Sequence, residues 1–336
     1  MRYQAYREQC NADSLTVIDA EVPRPGPGQV LVRMRAASLN YRDLFILQGL
    51  YPGVDSKDLI PLSDGAGEVV EIGAGVDRFA AGDHVIGTFF ETWISGRLQP
   101  AYFGKTLGGT APGVLTEYRL FPQESLVAKP AHLSFEEAAT LPCAALTAWN
   151  ALFEGPAPLR AGERVLVLGT GGVSMFALQL AKAAGAEVIA TSSSDAKLEK
   201  AKSLGATTLI NYRSHPEWDQ EVRTATGGAG VNHVVEVGGP GTLQRSIASL
   251  GQNGQAHLIG VLTGGEINPL PLLFTTSTVR GVFVGSREMF ESMNAVISLH
   301  KIHPVIDRVF GFDEARAALA HQQSQAHVGK VVVRIG

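Results

Sequence analysis

Residues 169–174 of this 336-residue sequence read GTGGVS and follow directly on the apolar run RVLVL. Gly169 permits a tight turn and Gly171 lets the backbone approach a pyrophosphate. The third position of the fingerprint must be small for helix and strand to pack, and here it is Ser174. Gly172 and Val173 open a helical run whose free N–H groups and positive dipole end suit phosphate. About 20 residues after such a loop an NAD site usually offers an Asp or Glu to the adenosine ribose. This chain offers Thr191-Ser192-Ser193-Ser194. A 2′-phosphate carries about −1.5 to −2 charges, so the missing carboxylate removes a repulsion. Ser192 and Ser193 can donate to the phosphate, and Lys197 can supply countercharge. The pattern favours NADP over NAD, against a neighbouring Asp195 that reads equally well as a helix cap. A second stretch, LNYRDLFILQGLYPG (39–53), carries Asn40, Arg42, Asp43 and Tyr51 but neither cysteine nor histidine. If it lines a site, the proton must be handled by something other than a thiol or an imidazole.

The elements that must hold these groups follow from pattern. Residues 1–125 hold short β-like runs cut by Gly and Pro, QVLVRMRA, GAGEVVEIG, DHVIGTFF and LTEYRLF, which predict a small, mostly antiparallel β domain. Residues 91–113 lack a period and read as a long loop or lobe. From 126 to 290, RVLVL, EVIAT, TTLINY, HVVEVGG, AHLIGV and GVFVG alternate for the most part with helical runs such as SMFALQLAKAAGA and DAKLEKAKSLGA. That predicts a six-stranded, doubly wound parallel sheet, and an α/β fold class. Residues 291–336 add a helical segment, DEARAALAHQQ, and a last strand, KVVVRI.

Composition bounds the function classes. Hydrophobic residues make up 45% and charged residues 18%, with a formal net charge of −4 and no block of Lys or Arg. Nucleic acid and anionic membrane are poor partners for such a chain. There is no signal-like or membrane-length apolar run, so the expected location is cytoplasmic. Cys10 and Cys143 are the only cysteines, and a cytosol would keep them reduced. His300 and His303 have a spacing that can share a metal on a helix, but with Pro304 next they read as a helix C-terminus.

The order of motifs, LNYRD with GLYPG, PLSDGAGEVVEIG with GDHVIG, EEAATLPCAALTAWNAL, VLVLGTGGVS and a terminal GKVVV, resembles the medium-chain dehydrogenase/reductase superfamily over essentially the whole chain. The resemblance implies a GroES-like catalytic domain (1–125), a Rossmann domain (126–290) and a return segment (291–336), with the active site in the cleft between domains. Zinc-dependent alcohol dehydrogenases of the superfamily hold catalytic zinc through a cysteine, a histidine with a neighbouring glutamate, and a third ligand. By motif these fall on Asn40, on Ser63 and Asp64, and on Cys143. Only Cys143 keeps a ligand type, and with Asp64 the set reaches at most two of the three protein ligands zinc wants. The four-cysteine structural loop is missing, since residues 80–130 contain no cysteine.

The spacing from Asn40 to Tyr51 is similar to that of zinc-free quinone oxidoreductases and enoyl reductases of the superfamily. The resemblance implies that both side chains sit beside the nicotinamide, Tyr51 donating to the charge that develops as hydride arrives and Asn40 orienting substrate or carboxamide. A phenol of pKa near 10 is protonated at neutral pH and suits that task. The rival reading has Tyr51 packing as a turn aromatic before Pro52. For the cofactor, the resemblance implies a grip on the 2′-phosphate by Ser193, Lys197 and Tyr212. It places Thr147 near the nicotinamide end, and Gly238, Val261, Val284, Gly329 and Lys330 along the dinucleotide, although Lys330 reads equally as a surface lysine.

The expected activity is a zinc-independent, NADPH-dependent transfer of hydride to an activated C=C or a quinone. The alternatives are an NAD(P)-dependent alcohol dehydrogenase or ketone reductase, and a non-catalytic NADPH-binding sensor or structural protein. A homodimer is expected by resemblance, through the edge strand GVFVG.

Overall fold

The computed structural model describes residues 2–7, 15–260 and 262–336. Cys10 and Val261 lie outside the described residues. Contacts divide the chain into two units, Met1–Leu146 with Gly285–Gly336, and Thr147–Val284.

The first unit opens with the antiparallel pair β1 (Arg2–Arg7) and β2 (Thr16–Glu21). Then come β3 (Gln29–Ser38), α1 (Tyr41–Leu47), β4 (Asp64–Ile72), β5 (His84–Gly87), β6 (Tyr118–Pro122), β7 (Leu126–Ala128) and α2 (Phe135–Ala138). Next are α3 (Leu146–Phe153), β8 (Arg164–Leu168), α4 (Gly172–Ala183), β9 (Glu187–Ser192), α5 (Asp195–Ser203), β10 (Thr208–Asn211) and α6 (Trp218–Ala225). The second unit ends with β11 (Val231–Glu236), α7 (Pro240–Ser249), β12 (Leu250–Leu258), α8 (Leu270–Thr275) and β13 (Thr278–Gly281). The chain returns to the first unit with α9 (Arg287–His300), β14 (Ile306–Phe310), α10 (Ala315–Gln323) and β15 (Lys330–Arg334).

In the first unit the strands run β14-β15-β3-β4-β5-β7, with β6 also paired to β3. β3 is buried along most of its length, so its apolar run feeds a core of Val30, Val32, Met34, Phe121, Val331 and Val333. β15 lies antiparallel on β3 with Val332 opposite Ser38. That register brings Lys330 to the loop where β3 ends and α1 begins. Residues 91–113 contain no strand and no α-helix, only a 3-10 turn at Pro100–Lys105. They are pinned by buried Trp93 and Leu107, the indole donating to the Gly96 carbonyl at 3.0 Å.

The second unit is a six-stranded parallel sheet in the order β10-β9-β8-β11-β12-β13. In chain order that is 3-2-1-4-5-6, the doubly wound dinucleotide topology. One face packs Leu166, Val234 and Ala256 against Trp218 and Val222 of α6 and Leu243 and Ile247 of α7. The sixth strand differs from the expected GVFVG. It is β13, three residues earlier, because Val284 takes a left-handed φ of 52° that no extended strand tolerates. The Val284 carbonyl accepts instead from Asn150 Nδ2 at 2.7 Å. The edge strand at this end of the sheet is therefore Thr278–Gly281, with β10 at the other.

α9 ends at His300 with Lys301 in the left-handed region, and His303 pairs through Nδ1 with Glu137 Oε1 at 2.7 Å. The two histidines are thus a helix end and a hydrogen-bond partner of Glu137. Among the described residues no helix is long and apolar enough to cross a membrane.

Candidate active site

The stretch 39–43 is shaped by a reciprocal helix cap. The Asn40 N–H donates to Asp43 Oδ2 at 2.7 Å, and the Asp43 N–H donates back to the Asn40 carbonyl at 3.1 Å. This satisfies backbone donors that a helix start leaves open. It also fixes where the Asn40 side chain leaves the backbone. The Asn40 Oδ1 accepts from Lys330 Nζ at 2.6 Å, and the same ammonium donates to the Leu39 carbonyl. On the other side Asn40 Nδ2 faces Ser63 Oγ at 3.4 Å, Ser63 donates to Asp64 Oδ1 at 2.6 Å, and the Cys143 N–H donates to Asp64 Oδ2 at 3.0 Å. All five residues belong to the first unit. Lys330, expected along the cofactor or on the surface, is only 3% exposed. Gly329 before it has φ 78°, and a Cβ there would lie 2.2 Å from the Val305 carbonyl oxygen, so the backbone that delivers Lys330 requires glycine.

Burial dominates the electrostatics. It pushes the Asp64 carboxyl above its ordinary value, opposed first by the Lys330 ammonium and then by the hydrogen bonds from Ser63, Asn40 and Cys143. The Cys143 thiol is pushed up to about 12 by burial and by the Asp64 charge. With no metal cation beside it the group is a thiol at neutral pH and no nucleophile. Zinc takes at least three protein ligands of Cys, His or carboxylate type. Here the set is one cysteine and one carboxylate whose two oxygens are engaged, beside an amide, a hydroxyl and an ammonium. These residues do not fit a zinc centre, and among the described residues no group of three such ligands gathers anywhere.

Asp43 is pushed up to about 6, mainly by burial, with the Arg42 guanidinium pulling the other way. Its folded pKa lies above the unfolded 3.8. The stability it contributes is therefore present below pH 3.8 and is lost as pH rises through 6. Between about pH 4.5 and 7 wild type should lose about 2 kcal/mol more than Asp43→Asn. Urea unfolding of both proteins at the two pH values measures this, and parallel curves would show that Asp43 is ionised throughout.

Tyr51 is half-buried in the turn after α1. Its ring lies under the Arg42 guanidinium, 5.0 Å from centroid to Cζ, and Phe89 flanks the same guanidinium at 4.6 Å. Arg42 also donates to the Leu107 carbonyl at 3.2 Å. A cation over two aromatic faces holds the ring in place. The hydrogen-bonded cluster thus gathers Asn40, Ser63, Asp64, Cys143 and Lys330, and Tyr51 joins it only through Arg42 and its neighbour Asp43.

In the second unit, β8 runs into Gly169 at φ 69°, and Gly171 is the N-cap of α4. A Cβ at either glycine would meet nothing within 4 Å, so a cradle is open above the helix N-terminus that starts with Gly172 and Val173. Ser174 fills the third position by donating to the Leu168 carbonyl at 2.6 Å, which ties helix to strand. β9 ends in buried Ser192, followed by half-buried Ser193 and the Ser194 cap of α5, where Lys197 lies in the first turn. Tyr212, 41% exposed, stands beside this end because its N–H donates to the Ser192 carbonyl at 3.0 Å. The open glycine turn and the helix N-terminus behind it fit the phosphates of a dinucleotide. Asp195 is no cap. Its carboxylate is held by Asn211 Nδ2 at 2.7 Å. Thr147 is buried in α3, Val284 is the left-handed residue after β13, and Gly238 lies in the turn after β11.

That last turn holds a residue sequence reasoning missed. Glu236, fully buried at the carboxyl end of β11, accepts through Oε1 from Gly238 N at 2.7 Å, Gly239 N at 3.0 Å and Thr242 Oγ1 at 2.6 Å, and through Oε2 from Ser246. An acid at a strand end next to Val-Gly-Gly-Pro was the available signal. Arg42 and Asn211 were equally visible as letters, but their partners lie on other elements.

The chain matches the Alcohol dehydrogenase GroES-like domain family over residues 26–131 and the Zinc-binding dehydrogenase family over 172–299. It is 47% identical to a zinc-type alcohol dehydrogenase-like protein of Schizosaccharomyces pombe, over 100% of this chain and 99% of that one. It is 32% identical to a 2-methylene-furan-3-one reductase of Solanum lycopersicum, over 99% of this chain and 79% of that one. The crystal structure of an NAD-dependent alcohol dehydrogenase superposes with a TM-score of 0.90 at 33% identity, covering 100% of both chains. With a doubly wound sheet, a GroES-like unit and an open glycine turn at the strand ends, the chain belongs to the medium-chain dehydrogenase/reductase superfamily of nicotinamide-dependent oxidoreductases.

Proposed function

We propose that this oxidoreductase uses NADPH to reduce an activated C=C, as in an enone, or a quinone, and does so without zinc. The observation that carries the reading is the Lys330–Asn40–Ser63–Asp64 chain. It stands where the resemblance puts the metal ligands, and its donor set does not fit zinc. Conjugated acceptors suit such a site because they spread the charge that a Lewis acid would otherwise stabilise. The name of the tomato relative, a reductase of a conjugated furanone, points the same way.

When bound, the nicotinamide cofactor supplies the hydride. Gly169, Gly171, Gly172 and Val173 would hold its pyrophosphate, and Ser192, Ser193, Lys197 and Tyr212 its 2′-phosphate. Asn40 offers an amide N–H to an oxygen of the substrate or carboxamide. Tyr51 donates a hydrogen bond or a proton where charge develops. Thr147, Gly238, Val284 and Gly329 remain candidate contacts or backbone supports. The protein is read as a cytoplasmic homodimer associating through β13, and a light-scattering mass of one chain at micromolar concentration would refute the dimer.

A panel of enones, quinones and alcohols assayed with NADPH, NADH and their oxidised forms tests the activity. Alcohol oxidation that exceeds every C=C and quinone reduction would replace this reading with an alcohol dehydrogenase, as the names of two relatives suggest. NADPH binding without turnover on any substrate would mark a sensor.

The cofactor preference gives its own prediction. Asn211 engages the Asp195 carboxylate, so Asn211→Ala frees a negative charge beside the 2′-phosphate position. Kd for NADPH should rise about tenfold relative to that for NADH, a difference of about 1.4 kcal/mol. Fluorescence titration of both cofactors reads it, and an unchanged ratio would remove Asp195 from the phosphate site.

A further inference from the structure

Asn40 has two chemically opposite ends, an acceptor oxygen and a donor nitrogen, and which one faces a reacting group decides what the residue can do. The structure constrains that choice from one side. Lys330 is buried at 3% exposure, reaches Asn40 Oδ1 at 2.6 Å, and is anchored by a second bond to the Leu39 carbonyl. Turning the amide over would set its NH2 against an ammonium, donor against donor, inside a nearly dry site. Only one orientation pairs both groups. In that orientation the oxygen is occupied, and the NH2 is the end turned toward Ser63 Oγ, at 3.4 Å, and toward the Asp64 carboxylate that it also hydrogen-bonds. Ser63 cannot pull the amide the other way, because its own proton goes to Asp64 Oδ1 at 2.6 Å. The residue that sets this arrangement lies 290 positions away in sequence, carried in by the antiparallel pairing of β15 with β3.

We propose that Lys330 is a positioning residue that locks the Asn40 amide with its oxygen inward, so that Asn40 presents an N–H donor and never a carbonyl to the reacting oxygen. The proposal rests on the reductase reading, in which that oxygen gains negative charge. It differs from a role for Lys330 as a cofactor contact, because the ammonium acts only through Asn40.

The test compares wild type with Lys330→Met and with Lys330→Met combined with Asp64→Asn. The single change leaves the buried Asp64 charge without its nearest cation, and its melting temperature should fall by about 10 °C. Against Asp64→Asn alone, the control for the changed partner of Ser63, Asn40 and Cys143, the double variant removes both charges and should regain at least half of that, giving a folded protein that lacks the lock. In it, kcat for enone reduction should remain about 10- to 100-fold below wild type, with Kd for NADPH unchanged. A purely structural pair would return kcat together with stability, and that result would overturn the proposal. Loss of NADPH affinity at unchanged kcat would also overturn it, making Lys330 a cofactor contact.

A second readout does not depend on turnover. With asparagine-selective 15N labelling, the Asn40 side-chain amide, identified by its loss in Asn40→Asp, should give two resolved, slowly exchanging N–H signals in wild type. In the double variant they should broaden or exchange quickly. Identical signals in both proteins would defeat the lock even if the enzyme is an enone reductase. A lost signal in a protein that reduces no enone would keep the lock and reject the reductase reading.

Discussion

Tyr51→Phe is expected to lower kcat for NADPH-dependent reduction of an enone about 10²-fold, the loss typical of a missing acid catalyst. The substitution isolates the phenol because the ring contact that positions Tyr51 survives it. Arg42 faces the ring at 5.0 Å and makes its hydrogen bond to Leu107, not to the tyrosine oxygen. Phenylalanine keeps a π face for the guanidinium, so fold and Kd for NADPH should stay within about twofold of wild type. The phenol alone donates a proton or a hydrogen bond at neutral pH. An unchanged kcat would reduce Tyr51 to a packing residue under Arg42, and the proton would then have to come from another donor or from water.

Glu236→Ala should produce the largest loss of stability, about 4 kcal/mol, read as a lower urea midpoint for unfolding of the Thr147–Val284 unit. Four donors converge on this one buried carboxylate, the N–H groups of Gly238 and Gly239 and the hydroxyls of Thr242 and Ser246. Alanine leaves them facing a void. Two are backbone groups that cannot turn to other partners, so the turn that begins α7 loosens with them. Glu236→Gln is the informative control. Its carbonyl can take the three donors now at Oε1, while its NH2 faces the Ser246 hydroxyl, which can rotate to accept. It should cost about 1 kcal/mol. Equal losses for the two variants would mean that the negative charge, rather than the set of acceptors, holds the turn.

Local structure was legible in the sequence where one short segment supplies it. The glycine turn at 169–172, the serine cluster after β9 and the alternation of strand and helix are of this kind. The six strands of a doubly wound parallel sheet followed from that alternation and from the dinucleotide fingerprint. The boundary of the last strand was not legible. GVFVG has a strand's composition, and what ends the strand at Gly281 is the left-handed turn of Val284, held by Asn150 from another element. The same limit hid Lys330. A lysine in a terminal GKVVV carries no mark of burial. Only the pairing of β15 with β3 brings it to Asn40 and makes it part of the site. Asn211 and Asp195 were each readable as helix-end or strand-end residues, while their hydrogen bond appears only when β10 lies beside β9.

The most direct test of the central claim is to strip the purified protein with a strong chelator, measure its zinc content, and follow NADPH oxidation by enones and quinones in that same preparation. Full turnover with far less than one zinc per chain is the result predicted by a site in which Lys330, Asn40, Ser63 and Asp64 bond to one another. Turnover that disappears on stripping and returns with stoichiometric zinc would contradict it. Asp64 and Cys143 would then have to be metal ligands, and the alcohol dehydrogenase reading would take its place.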